Sequence, residues 1–353
     1  KLRMTRKEYL TALAEALHFM GEKERDEVLS FYDETIEDRM ETGTSEEQAV
    51  ASLETPAQAA AKFRAENPAS AQEEEQPEGV QRKTLSCPAA ALRKARLRAE
   101  NVDVTLRACP GDQATLTYYT SRQEQYTARF ENGELTLDYQ RGGVMNFFGW
   151  RSWRVLLGQE PAPRIELAVP ADCAFDLFVR DSNAAIQAEG LCALGEVELS
   201  TSNGKLRLEN IQARKLTLST SNSKLLLSDV QTEQGLRAVT SNAHAQAERV
   251  RAGEDAVIST SNARLTAQAV AAGHRLSLTT SNGKIEVGSL AAQEISLATS
   301  NAVICGVLPG RQADWAIDSR TSNGSSSLPK LQAGAKPLSV HTSNASIRLE
   351  FEA

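Results

Sequence analysis

The sequence predicts a mainly β protein: a parallel β-solenoid of about nine coils, about 20 residues each, with a small all-α domain at its N-terminus. Three observations carry this reading. A Ser-Asn pair recurs with its asparagine at Asn183, Asn203, Asn222, Asn242, Asn262, Asn282, Asn301, Asn323 and Asn344, spaced by 20, 19, 20, 20, 20, 19, 22 and 21 residues. Apolar residues stand at fixed offsets from it: six and four before (Leu216/Leu218, Leu276/Leu278, Ile295/Leu297, Leu338/Val340) and three and five after (Leu206/Leu208, Leu225/Leu227, Ile285/Val287, Ile347/Leu349). Within each arm they alternate, which is the period of a strand. The first 65 residues instead repeat their apolar positions at helical spacing.

Composition sets the frame. The chain has 353 residues, 41% hydrophobic, with a net charge of −7, ordinary soluble chemistry with length for two domains. Aromatics make up 5%, as suits a thin core of Val, Leu, Ile and Ala. The acidic balance argues against nucleic acid as the main partner. The five cysteines (Cys87, Cys109, Cys173, Cys192, Cys305) are odd in number and lack metal-ligand spacing, which points to free thiols in a reducing compartment. No run of about 18 apolar residues offers a membrane span, and no leader pattern opens the chain. These features favour a cytoplasmic setting, with cell-surface association as the alternative.

In chain order, residues 1–65 read as four short acidic helices. Thr5 with Glu8 makes a capping box before a stripe of Tyr9, Leu10, Leu13 and Leu17. Val28, Leu29, Tyr32, Ile36 and Met40 form a second stripe, ending near Gly43. Ser45 with Gln48 caps a third helix carrying Val50 and Leu53, and Thr55-Pro56 opens a fourth with Phe63 near its end. The stretches TRKEYLTALAEAL, ERDEVLSFYDETIEDRMETGTSEEQAVASL and TPAQAAAKF resemble the HAAS-type helical signalling domain. That resemblance implies a module beside a membrane segment or sensor, often alongside PadR-like transcriptional regulators. Residues 66–83, rich in Pro, Glu and Gln, read as a linker with no membrane helix.

Residues 84–179 are strand-like but irregular and are expected to cap one end of the solenoid, whose regular coils run from 180 to 353. Asn132-Gly133 between Phe130 and Leu135 marks a hairpin. The stretches RIELAVPADCAFDLFVRDSNAAIQAEG, TSNGKLRLENI and TSNGKIEVGSL are similar to the bacterial β-strand-repeat family of adhesin-like proteins of unknown function. The resemblance covers residues 84–353 and implies a fold rather than an activity.

The repeat itself poses the first functional question. Parity changes between each Asn and the third residue beyond it, so a corner falls there, with Gly204, Ala243, Ala263 and Gly283 as its small residues. By that parity Thr and Asn point inward and Ser outward. An inward amide needs partners, and coils about 4.8 Å apart allow Asn to bond Asn in a structural ladder.

Two other groups are candidate binding residues. Lys205, Lys224, His244, Arg264 and Lys284 each lie two residues past an Asn and would form an outward cationic column, either an anion-binding row or a device keeping the sheet soluble. Phe147, Phe148, Trp150 and Trp153 cluster in an aromatic-poor chain, as a partner contact or a plug.

No catalytic, cofactor-binding or metal-binding pattern appears, and His18, His244, His274 and His341 have no ligand spacing. The expected function is a non-enzymatic, adhesin-like interaction scaffold that binds a protein or an acidic glycan. The alternative is an intracellular regulatory protein whose helical module docks a partner such as a transcriptional regulator. The last coil, through Leu338, Val340, Ile347, Leu349 and Phe351, is expected to leave a bare edge, covered by a homodimer or by the helical module.

Overall fold

The computed structural model describes residues 4–17, 22–41, 44–60, 81–120, 124–141 and 164–352. It divides into two compact units, one holding the described residues between 4 and 60 and the other those between 81 and 352.

In the first unit, α1 (Arg6–Ala16), α2 (Glu22–Glu41) and α3 (Glu46–Ala51) precede a further helical stretch over residues 56–60. The Thr5 hydroxyl accepts from the Glu8 N–H while the Glu8 carboxylate accepts from the Thr5 N–H, so both orphan donors of the first turn are satisfied. Ser45 caps α3 in the same way through the Gln48 N–H. Tyr9, Leu13, Leu17, Val28, Tyr32, Ile36, Ala49, Val50, Ala59 and Ala60 form the buried core. Met40, placed by its spacing in the apolar stripe, is instead exposed, as is Phe31. Phe63 lies outside the described residues.

Among the described residues of the second unit, 24 strands join in one hydrogen-bonded network, with most pairings parallel. One coil shows the plan. Strand Leu225–Thr232 leads to the short strand Leu236–Val239, and Thr240-Ser241-Asn242 then turns the chain into strand Ala245–Ala252. Neighbouring coils stack in register, so that Ile186, Leu206, Leu225, Ala245, Leu265, Ile285, Ile304 and Ile347 form one continuous interior column. Leu177, Val197, Leu216, Leu236, Ala256, Leu276, Ile295 and Leu338 form a second. All of these are at most 2% exposed, and each leucine so buried contributes about 1.5–3 kcal/mol.

A second corner occurs seven residues past the Asn in the six coils from Asn183 to Asn282. There Asn210, Asp229, Arg249, Ala269 and Ser289 all have φ between 51° and 55°, and Gly190 has φ 72°. This left-handed residue is why positions five and eight past the Asn can both face inward although their separation is odd. Leu208 and Ile211 are both buried, as are Leu227 and Val230. The conformation suits Gly, Asn or Asp and is costly for alanine, by about 1–2 kcal/mol. Ala269→Gly is therefore expected to stabilise the protein by about 0.5–1 kcal/mol, read as a higher urea midpoint, where the same change inside an ordinary strand destabilises.

The stack does not follow chain order at its ends. Strand Lys336–Thr342 lies between strands Glu294–Ala298 and Trp315–Thr321, so the final coil is inserted into the stack and the Asn323 coil lies beyond it. The expected bare edge at Leu338, Val340 and Leu349 is thus corrected: these residues are at most 3% exposed. The cause lies in the Asn323 coil. Three residues past its Asn it carries Ser326, where the other coils place Ile, Leu or Ala, so it cannot extend the apolar column and closes it instead. Strand Leu331–Gln332 pairs antiparallel with Trp315–Thr321 at this end, leaving Leu331 73% exposed. At the opposite end, strands Lys94–Arg98 and Asp103–Ala108 pair with the Asn183 coil on one side. Glu134–Arg141 and Arg164–Val169 cover them on the other, with antiparallel strands Glu124–Glu131, Gln113–Thr120 and Gln81–Pro88 beyond.

Candidate functional site

The Ser-Asn corner is built around its threonine. Thr201, Thr220, Thr240, Thr260, Thr280, Thr299 and Thr342 are buried. Each hydroxyl donates to the carbonyl of the residue after the Asn of the neighbouring coil: Thr220 to Gly204 at 3.1 Å, Thr240 to Ser223 at 3.2 Å, Thr260 to Ala243 at 3.0 Å. The Ser and Asn N–H groups of each coil both donate to the serine carbonyl of the coil before, as from Ser221 and Asn222 to Ser202. The backbone polar groups of the corner are thereby satisfied without a strand ladder.

With the main chain so held, the asparagine side chains point to solvent. All nine repeat asparagines are exposed, which corrects their expected inward orientation. The chain leaves the extended conformation at the Ser, one residue earlier than strand parity assumes, so counting by twos fails across Thr-Ser-Asn. The amides still bond one another. Each Nδ2 donates to the Oδ1 of the next Asn at 2.5–2.7 Å, in the order Asn203 to Asn183, then Asn222, Asn242, Asn262, Asn282 and Asn301 each to its predecessor. Asn344 donates to Asn301, and Asn323 to Asn344, following the stack rather than the chain. Asn183 in turn donates to Asn101, a tenth member in a stretch without Ser-Asn, which reaches the row through a left-handed φ of 60°. Within the row each amide keeps a second N–H and a carbonyl lone pair for solvent or a ligand, repeated every 4.8 Å or so.

Asp181 stands where the other coils carry Thr and is 3% exposed. Its Oδ1 accepts from the Asn183 and Ala184 N–H groups at 2.7 and 2.6 Å, while its Oδ2 makes no well-formed hydrogen bond among the described residues. Burial pushes its pKa above the usual carboxylate range, against the backbone N–H groups that favour the charged form, and nearby Asp103 adds to the rise.

Beside the asparagine row stand Lys205, Lys224, His244, Arg264 and Lys284. Their carbonyls accept from Ile186, Leu206, Leu225, Ala245 and Leu265 in turn, which places them in five successive coils. Lys205 and Arg264 are exposed and the other three half-buried. They are not equivalent. Glu286 pairs closely with Lys284 and lies 3.6 Å from Arg264. The hydrogen bond from Lys284, with the charges of Lys284, Arg264 and His244, holds the Glu286 carboxyl below its ordinary range, and the Lys284 ammonium is raised in return. His244 Nε2 is 3.1 Å from Thr266 Oγ1. The five cations suggest an uninterrupted column in the sequence, but Glu286, two residues past Lys284, pairs with it locally and is brought to Arg264 only by stacking.

Phe147, Phe148, Trp150 and Trp153 lie outside the described residues. Cys87 and Cys173 are buried, and burial raises both thiols. Among the described residues no group of three or more His, Cys, Asp or Glu is arranged to hold a metal ion, and no helix is long and apolar enough to cross a membrane.

Comparison with known proteins agrees with this architecture. The HAAS family matches residues 8–62, so a HAAS domain precedes the solenoid. A crystal structure of a putative adhesin from Parabacteroides merdae is similar at 12% identity and a TM-score of 0.41, covering 78% of this chain and 96% of that one. A putative cell adhesion protein from Clostridium sporogenes is 9% identical with a TM-score of 0.22, covering 78% and 100%. A putative adhesin from Bacteroides fragilis is 8% identical with a TM-score of 0.29, covering 78% and 99%. No curated protein matches the chain. The Toastrack DUF4097 family matches residues 93–287, more than half of the 353 residues, through the coils whose corners have just been described, and the chain belongs to that family.

Proposed function

We propose that the protein is a non-enzymatic binding scaffold whose Ser-Asn corner receives an extended acidic partner, either an acidic glycan or an acidic protein segment. The observation that carries this is the pairing of two parallel rows. One is the exposed asparagine row, with a free donor and acceptor per coil, and the other is the adjacent column of Lys205, Lys224, His244, Arg264 and Lys284. A ligand with charges spaced along its length would meet a donor and a cation at every coil. A compact substrate would meet them at one. Glu286 offsets Arg264 and Lys284, so the attraction is reduced at that end of the column.

The test is retention of the full chain on an immobilised acidic polysaccharide at low salt. Charge reversal by Lys205→Glu with Lys224→Glu is expected to weaken retention by about tenfold or more, and rising salt to abolish it. If the unmutated protein passes through unretained, the column serves solubility alone.

A second reading rests on the HAAS domain. Its described helices expose acidic residues such as Glu8, Glu37 and Glu47 around a small core, which suits docking onto a basic protein partner in a regulatory role. Fractionation of cells carrying the native protein separates the two: recovery at the surface favours the glycan ligand, and recovery in the cytoplasm favours the regulatory partner.

A further inference from the structure

On the outer face of the solenoid several strand cations have an acidic partner. Lys215 pairs with Glu196 at 3.2 Å, Arg275 with Glu294 at 2.8 Å, Arg249 with Asp229 at 2.7 Å, and Arg96 with Glu134 at 2.8 Å. Arg98 and Arg180 differ in facing each other. They are directly opposite one another in register on parallel strands Lys94–Arg98 and Asp176–Arg180, both exposed, and neither forms an ion pair among the described residues. No other registered strand pair described here sets two arginines or lysines face to face. Like charges so placed repel across about 4.8 Å.

On one flank, strand Glu134–Arg141 continues its register past Leu97 and Leu137 to set Asp138 beside Arg98, without an ion pair between them among the described residues. The next coil offers Ser200 opposite Arg180, and the coil after that Ser219. Glu134 is occupied by Arg96. The carboxylate that reaches the same groove is Glu198, opposite Phe178 rather than opposite either arginine. The groove holds about 260 Å³ and is lined by Arg96, Arg98, Phe178, Arg180, Glu198 and Ser200. Lys94 Nζ and Arg96 Cζ approach the Phe178 ring to 5.5 and 5.6 Å, which keeps these two cations on the aromatic side of the site.

From this arrangement we infer that the groove is an anion site, distinct from the Ser-Asn corner, that takes a phosphate or sulfate ester of a sugar-sized molecule. Both arginines line the groove, each able to donate two parallel hydrogen bonds to a tetrahedral oxyanion, and Ser200 adds a hydroxyl donor. The Phe178 ring offers an apolar face to the sugar, and the Glu198 carboxylate accepts from its hydroxyls. Glu198 also repels a second anionic group at that end, so the site selects a single charge carried on a neutral, hydroxyl-bearing body. The groove's volume suits a monosaccharide rather than a polymer.

Calorimetric titration of the full chain at low salt with glucose 6-phosphate, glucose 6-sulfate, inorganic phosphate and glucose tests this. The two esters are expected to bind, inorganic phosphate more weakly and glucose not measurably. Arg98→Ser and Arg180→Ser are each expected to weaken ester binding at least about tenfold. Thermal unfolding supplies a second reading. The esters should raise the melting temperature of the unmutated protein and leave Arg98→Ser unmoved, while Arg98→Ser without ligand should melt higher than the unmutated protein because the repulsion is gone. Failure of both esters to bind overturns the inference. So does binding that survives both substitutions, or glucose binding as tightly as its esters.

Discussion

Replacing Gly306 by valine destabilises the solenoid by about 3 kcal/mol or more, seen as a fall in the urea midpoint of the full chain at unchanged slope. Gly306 lies five residues past Asn301 and pairs in register with Val287 and Leu349, both buried. From the sequence alone a larger apolar residue would fill that column and stabilise it. The structure reverses the sign. Gly306 has φ 142°, a conformation L-residues rarely adopt, and a Cβ built there would lie 1.8 Å from the Val287 carbonyl oxygen. The obstruction is backbone of the adjacent coil, held by its own pairing with strand Ile304–Pro309, and it cannot swing aside as a side chain would. Two costs combine, about 1–2 kcal/mol for the backbone conformation and about 1–3 kcal/mol for overpacking. A loss under about 1 kcal/mol would mean that the coil relaxes there and that the register at Gly306 is not rigid.

Thr220→Val costs about 1–3 kcal/mol, while Asn222→Ala, two residues away in the same corner, costs less than about 1 kcal/mol. Valine keeps the shape of threonine but removes the hydroxyl that donates to the Gly204 carbonyl at 3.1 Å, in a corner where Thr220 is 2% exposed. The carbonyl is left with no substitute donor, and that desolvation cost dominates. Asn222 makes two hydrogen bonds, to Asn203 at 2.6 Å and from Asn242 at 2.7 Å, yet it is exposed, so water replaces both partners. Parallel urea titrations of the two variants decide the matter. Equal losses, or a larger loss at Asn222, would show that the amide row rather than the threonine column holds the corner.

This division of labour bears on function. A corner secured by buried threonine hydroxyls and main-chain bonds leaves the asparagines available to a ligand without loss of the fold. The same residue type can then repeat in every coil while the flanking positions vary, as they do from Lys205 and Lys224 through His244 to Arg264 and Lys284. The register that stacks interior leucines also fixes which exterior charges face one another, and so brings Glu286 to Arg264 and sets Arg98 against Arg180.

The sequence by itself determined the period, the strand identity of each arm, the interior columns and the helical module with its caps. All of these are local patterns: alternation by two, spacing by three and four, and a capping box read from adjacent residues. What tertiary structure decided depends on residues that stacking makes neighbours. Strand parity holds only while the chain stays extended, so it failed at Thr-Ser-Asn, where the amides turned outward. It also gave no sign of the left-handed residue seven positions later, since Arg249, Ala269 and Ser289 share a backbone conformation that their side chains do not announce. The order of coils at the ends was not in the spacing either. The Asn344 coil enters beneath the Asn323 coil because Ser326 cannot continue an apolar column, and Asn101 joins the row from a stretch with no motif, because its strands happen to seat against the Asn183 coil. Local sequence sets what each segment is; the free energy of burying one coil against another sets where it goes.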